Sequence, residues 1–123
     1  MTKQVLDIGN CRPDHVAIRS LIEGAFDASV TQAHGMDDSL DALRTTAFDL
    51  VLVNREMDRD RSSGLAIIEK IKSTPEVAST PVMMITNFTQ HQELAIQAGA
   101  ERGFGKRDLA DPATRGKLAA FLE

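Results

Sequence analysis

The run Asp49-Leu50-Val51-Leu52-Val53-Asn54 is a strand signal from which the rest of the chain can be read. Its four central residues are continuously apolar, the pattern of a strand buried on both faces of a parallel sheet. Val82-Met83-Met84-Ile85 repeats that pattern further along the chain. Three weaker strand candidates complete the set: Val5-Leu6-Asp7-Ile8, Ala28-Ser29-Val30-Thr31 and Gly103-Phe104-Gly105. The run from Ala28 to Thr31 is more polar and is expected at a sheet edge.

Between the strand candidates lie stretches with helical periodicity. Ile18, Leu21, Ile22 and Ala25 fall at i, i+3, i+4 and i+7, one buried helical face. Pro13 suits the first turn of that helix, where a missing N–H costs nothing. Leu40 and Leu43 mark a second helix, with Asp37 and Asp38 in its first turn, where the helix dipole favours acids. Leu65, Ile68 and Ile71 mark a third, opened by Ser62 or Ser63 and ended before Pro75. Thr89 and Gln92 form a candidate capping box for a fourth, which Gly99 closes as a left-handed cap. A fifth helix should begin near Pro112 and bury Leu118, Ala119 and Leu122.

Alternation of strand and helix implies an α/β fold, a doubly wound parallel sheet with helices on both faces. Five βα units in 123 residues favour the flavodoxin-like (βα)5 arrangement with strand order 2-1-3-4-5. One domain over 1–123 is expected, because this length supports one ordinary core. Ligands of such sheets sit beyond the carboxyl ends of the strands. That rule gathers Gly9, Asn10, Cys11, Asn54 to Asp58, Thr86, Asn87 and Lys106 around one cleft.

Fourteen Lys and Arg against eighteen Asp and Glu give a formal charge of -4. This balance argues against general nucleic-acid binding, which needs basic surface. No apolar stretch reaches the length of a membrane span, and no signal-peptide pattern precedes the first strand. The single Cys11 cannot form an internal disulfide. A cytoplasmic protein without membrane association is the expectation.

The same residues carry a family resemblance. The segment from Asp49 to Asn54 resembles the third strand of bacterial response-regulator receiver domains, which ends in the phosphate-accepting aspartate. Pro81-Val82-Met83-Met84-Ile85-Thr86 resembles their fourth strand, ended by a phosphate-contacting Thr or Ser. Ala98-Gly99-Ala100 followed by Lys106 resembles the family's Ala-Gly-Ala segment and the lysine after the fifth strand. Met57 and Gly64 fit the loop beyond the acceptor, which is longer here than is usual. Together these motifs span nearly the whole chain.

The departures fall on the residues that the resemblance makes functional. Asn54 stands at the acceptor position, and Gly9 and Asn10 stand at the adjacent acids that help hold Mg²⁺. Gly103 falls where the family's switch aromatic belongs, with Phe104 one residue later and so on the opposite strand face. Asp58 and Arg107 replace two prolines, while Thr86 and Lys106 match. Phosphotransfer needs a carboxylate nucleophile and a cation that neutralises the phosphoryl oxygens. An amide shares its lone pair with its carbonyl, so Asn54 is neutral and a poor nucleophile. Mg²⁺ prefers carboxylate oxygens, and all three expected acids are uncharged.

The resemblance and its departures imply a degenerate pseudo-receiver with no catalytic residue, no metal and no cofactor. Such a module would signal through a protein partner without aspartyl phosphorylation. The partner face implied by the family is the fourth helix, fifth strand and fifth helix. Here it would draw on Gln90, His91, Glu93, Gln97, Glu101, Arg102, Phe104 and Arg107, and the same face could carry a homodimer. Lys106 is expected to bond to the Asn54 oxygen, to carbonyls or to solvent. With Thr86 and amides near the helix starts, it could draw an anion into the vacated cleft.

Asp7 interrupts an apolar strand and needs a partner or exposure to stay charged. Cys11 has only Arg12 as a basic neighbour and reads as structural or incidental. His15, His34 and His91 show no metal-ligand spacing and read as solvated or capping residues. Two other functional classes stay open. One is a residual phosphorelay receiver phosphorylated at a non-standard residue such as Asp58. The other is a small flavodoxin-like ligand-binding protein, although Gly9-Asn10-Cys11-Arg12 lacks a glycine- and hydroxyl-rich phosphate cradle. No nucleophile–base pair at a defensible spacing points to an enzyme.

Overall fold

The computed structural model describes residues 1–123. Its strands are β1 (Lys3–Ile8), β2 (Ala28–Ala33), β3 (Leu50–Asn54), β4 (Val82–Ile85) and β5 (Glu101–Phe104). They alternate with α1 (Arg12–Ala25), α2 (Met36–Thr45), α3 (Gly64–Lys72), α4 (Thr89–Gln97) and α5 (Pro112–Leu122). A single 3-10 turn, Lys106–Asp108, follows β5. All pairings are parallel and the strand order is β2-β1-β3-β4-β5. This is the flavodoxin-like sheet that the alternating runs predict, with the polar β2 at one edge. No helix is long and apolar enough to cross a membrane.

Period-two alternation divides the strands between two apolar layers. Leu6, Ile8, Val51, Val53, Val82 and Met84 point toward α2, α3 and α4, packing on Leu40, Leu43, Ile67, Ile68, Ile71 and Ala95. Val5, Leu50, Leu52, Met83 and Ile85 point the other way, onto Ile18 and Ile22 of α1 and Leu118 and Leu122 of α5. The first four residues of β3, Leu50 to Val53, are fully buried because both layers close over them. Ala119 is only partly buried, since the apolar stripe of α5 runs through Leu118 and Leu122.

The helix ends follow their sequence signals except in α4. Ser63 caps α3 by accepting from the Ala66 N–H at 3.2 Å, and Asp111 caps α5 by accepting from the Ala113 N–H at 2.8 Å. Asp38 accepts from the backbone N–H groups of His34 and Gly35 at 2.7 and 2.8 Å, fixing the start of α2. Gly99 follows α4 with φ 108°, a left-handed value suited to glycine. The expected Thr89–Gln92 box is absent. Phe88 occupies the N-cap of α4, and Gln92 turns inward instead.

Gly116 lies exposed within α5, and an added Cβ there would meet nothing within 4 Å. Gly116→Ala should therefore raise stability by about 0.5–1 kcal/mol, through helix propensity and a less flexible unfolded chain. Urea unfolding should show a higher midpoint at unchanged m. A lower midpoint would contradict this reading of α5.

Candidate functional site

The carboxyl ends of β3, β4 and β5 open into a cleft of about 410 Å³. Asn54, Glu56, Asp58, Thr86, Asn87 and Lys106 line it together with Arg55, Met57, Arg61, Ile85 and Phe88. The structure thus brings together Asn54, Thr86 and Lys106. Asn54 is held by its own amide: Nδ2 donates to the Glu56 carbonyl at 2.7 Å and to the Gly9 carbonyl at 3.4 Å. The Gly9 carbonyl also accepts from the Asp58 N–H at 2.9 Å. Asn54 therefore ties the β1–α1 turn to the loop beyond β3. That loop is further pinned by Met57 N–H to Ser62 O at 2.9 Å and Gly64 N–H to Arg55 O at 2.8 Å.

Gly9 has φ 82°, and an added Cβ would overlap the Met57 side chain. A side chain at this position is therefore strained in its backbone and short of space. Asn10 does not share the cleft with Asn54. It is 2% exposed and faces the α1 side, where Nδ2 donates to Asp7 Oδ1. The other Asp7 oxygen lies 2.7 Å from His15 Nδ1. Burial pushes the Asp7 carboxyl up, against the lowering effect of His15 and Asn10. Asp7 takes the pairing expectation, while His15 departs from the expected solvated histidine because the first turn of α1 lays it over this carboxylate.

Lys106 has found a partner the sequence reading missed. Its Nζ lies 2.7 Å from Asp14 Oδ2, across from the first turn of α1. This replaces the expected bonds to Asn54 or solvent and weakens the case for an anion in this cleft. An acid just after Pro13, near the end of β1, was the signal available. The Lys106 ammonium holds the Asp14 carboxyl below its ordinary value of 3.8. A depressed carboxylate stabilises the fold above that value and loses the contribution as pH falls through its folded pKa. Both side chains are about a third exposed, so the pair contributes no more than about 1 kcal/mol. Asp14→Asn should lower stability by that amount at pH 7, and the difference should shrink below the ordinary value and vanish below the depressed folded one. Urea midpoints across a pH series read this directly.

Beyond the cleft, β5 is joined to α4 by an internal clip. Gln92 is 6% exposed, and its Nε2 donates to the Met84 carbonyl at 2.9 Å and to the Thr86 carbonyl at 3.3 Å. Its Oε1 accepts from the Gly103 N–H at 2.9 Å. One amide thus bridges both neighbouring strands. Met83 pairs with Glu101 while Ile85 pairs with Phe104, so β5 carries a bulge. At Gly103 a Cβ would overlap the Met84 carbonyl oxygen, which leaves glycine as the residue that fits.

Phe104 turns to the other face and is 3% exposed, in the layer with Ile85 and Leu118. It therefore leaves the exposed partner face expected from sequence, because strand alternation sends it into the core. Gln90, Glu93, Gln97, Glu101, Arg102 and Arg107 are exposed, and His91 is half-buried. Arg102 crosses from β5 to Glu93 of α4 at 2.7 Å.

The family model of the response regulator receiver domain matches residues 13–110. The chain belongs to the response-regulator receiver family. No curated protein matches it in sequence. Among solved structures, a signal receiver domain of a DNA-binding response regulator from Colwellia psychrerythraea shares 24% identity at a TM-score of 0.76, covering 95% of this chain and 98% of that one. Chemotaxis protein CheY4 of Vibrio cholerae gives a TM-score of 0.81 at 18% identity, covering 99% and 100%. A CheY-like receiver domain from Methylobacillus flagellatus gives 0.80 at 16%, covering both chains in full. At these identities the likeness is one of fold.

Receiver domains are the signalling modules of two-component systems, and this receiver is one of that class. The Mg²⁺ that the family resemblance implies does not fit the residues present. A hard cation takes carboxylate oxygens. The residue that resembles the acceptor, Asn54, is an amide already donating to two carbonyls, and of the two that resemble the acid pair, Gly9 has no side chain and Asn10 is an amide bonded to Asp7.

Proposed function

We propose that this receiver is a pseudo-receiver, one domain over 1–123, that signals through a protein partner without aspartyl phosphorylation. The observation that carries the reading is the Asn54 amide, which donates to the Glu56 and Gly9 carbonyls. A phosphate-accepting carboxylate would need acidic neighbours and a metal at that point, and the amide serves instead as a structural tie. Lys106, committed to Asp14, adds support. So does the Gln92 clip, which holds α4 and β5 together where a switching receiver would need them to move.

The partner face we propose is Gln90, His91, Glu93, Gln97, Glu101, Arg102 and Arg107. Its mixed charges and exposure suit a polar interface with a cytoplasmic signalling protein, or with a second copy of this chain. We assign the receiver no enzymatic role. The test is the intact mass of the purified protein after incubation with acetyl phosphate and Mg²⁺. The reading predicts no added phosphoryl group. A gain lost in Asp58→Asn would favour a residual phosphorelay receiver, a reading kept in view because Asp58 lines the cleft with Thr86 and Lys106.

A further inference from the structure

A second cleft, of about 520 Å³, lies between α1, the end of β2 and the loop beyond β3, and shares only Asp58 with the first. Three arginines line it in a chain of net charge -4, Arg12 and Arg19 from α1 and Arg59 from the loop, with Asp58 as the one acid and His34 after β2. Arg19 is engaged by Glu23 at 3.2 Å. Arg12 and Arg59 belong to none of the six ion pairs.

Exposed arginines alone are ordinary solvated charge. The distinguishing feature is His15, which also lines this cleft and is only 8% exposed. Its Nδ1 is fixed 2.7 Å from Asp7, whose residue is fully buried. A buried carboxylate behind an imidazole sets the ring's orientation and tautomer, leaving Nε2 as the working atom. Nε2 makes no hydrogen bond, yet it is not sealed off from solvent. Asn10, bonded to the other Asp7 oxygen, lines the same cleft and has a buried Oδ1 with no partner. Buried polar groups are normally satisfied. The unbonded His15 Nε2, accessible to solvent beside two unpaired guanidiniums, is the feature that points to a ligand here.

The chemistry selects the ligand class. Arginine presents a planar fork of donors that matches phosphate oxygens. An imidazole Nε2 donates to a phosphate oxygen when the ring is charged and accepts from a P–OH when it is neutral. The volume falls within the range of small-molecule sites and leaves room for an organic group beyond the phosphate. We propose that this cleft binds a small phosphate monoester, with His15 Nε2 as the central contact and Arg12 and Arg59 holding the phosphoryl oxygens.

The test is a ¹H–¹⁵N spectral titration with glycerol 3-phosphate, with inorganic phosphate and with sodium chloride at matched ionic strength. Saturable shifts at Arg12, His15, Arg59 and Gln32, which also lines the cleft, are expected with the ester, weaker ones with inorganic phosphate, and none with chloride. His15→Gln and the exposed Arg12→Gln and Arg59→Gln should each weaken binding by about tenfold, the loss of one charge-assisted hydrogen bond. Should His15→Gln fail to fold, the arginine variants decide. Unchanged affinity in them, an equal response to chloride, no response, or shifts centred on Thr86 and Lys106 would overturn the proposal. Equal affinity for inorganic phosphate would overturn its ester assignment.

Discussion

Gly103→Ala, the smallest change that adds a Cβ, should cost at least about 2–3 kcal/mol, and Gly103→Tyr should leave little folded protein. The added carbon would overlap the Met84 carbonyl oxygen, with the Met84 carbonyl carbon at 3.1 Å and Met83 Cβ at 3.3 Å. The nearest obstacle is backbone inside a paired sheet, so it cannot rotate aside as a side-chain tip would. Relief requires β5 to move off β4. That movement would stretch the Thr86 N–H to Phe104 O bond of 3.0 Å and the Gly103 N–H to Gln92 Oε1 bond of 2.9 Å. Stranding such buried groups costs about 1–3 kcal/mol each. Urea unfolding of the alanine variant measures the sum, and a loss below about 0.5 kcal/mol, the ordinary surface range, would show that the sheet can give. The consequence reaches function: the position that resembles the switch aromatic cannot regain a ring without rebuilding the edge of the sheet.

Asn54→Asp, the substitution that would nominally restore the acceptor, should destabilise the protein by about 1–3 kcal/mol at pH 7. Asn54 Nδ2 is a donor between two acceptors, the carbonyls of Glu56 at 2.7 Å and Gly9 at 3.4 Å. A carboxylate offers only oxygens, so both bonds are lost and like partial charges face each other. The introduced carboxylate should carry a raised pKa, because a protonated acid can still donate one bond. Its cost should therefore be smallest below the ordinary carboxylate range, grow as pH rises, and be full only above the raised folded value. Acetyl phosphate should still leave the variant unmodified, since Gly9 supplies no carboxylate and Asn10 stays bonded to Asp7. A variant as stable as the parent at pH 7 would contradict the role given to the amide.

How much of this was legible in the sequence differs between sheet and site. The apolar runs at 50–53 and 82–85 place the central strands without ambiguity, because a strand buried on both faces leaves no polar residue to confuse the period. Helix caps written in short-range chemistry, such as Ser63 and Asp111, are equally readable. Gln92 was misread for the same reason: its spacing from Thr89 imitates a capping box, while its true partners lie on β4 and β5. Asp14 meeting Lys106, and Asp7 meeting His15, depend on how α1 settles over the strand ends. Such pairings come from tertiary packing and leave no periodic trace. Phe104 was placed on the right strand but its exposure was misjudged, because the bulge and the strand period together decide which way it points.

One pair of amide spectra decides between the proposed loss of the aspartyl switch on a persisting scaffold and a working receiver. ¹H–¹⁵N spectra would be recorded with and without acetyl phosphate and Mg²⁺, following Asn54, Thr86, Gly103, Lys106 and the Gln92 side-chain amide. Superimposable spectra are expected at all five, since no acceptor takes the phosphoryl group and the α4–β5 clip stays closed. Concerted movement of the Gly103 and Gln92 signals, together with shifts at Thr86 and Lys106, would contradict the proposed loss and restore the chain to the switching receivers.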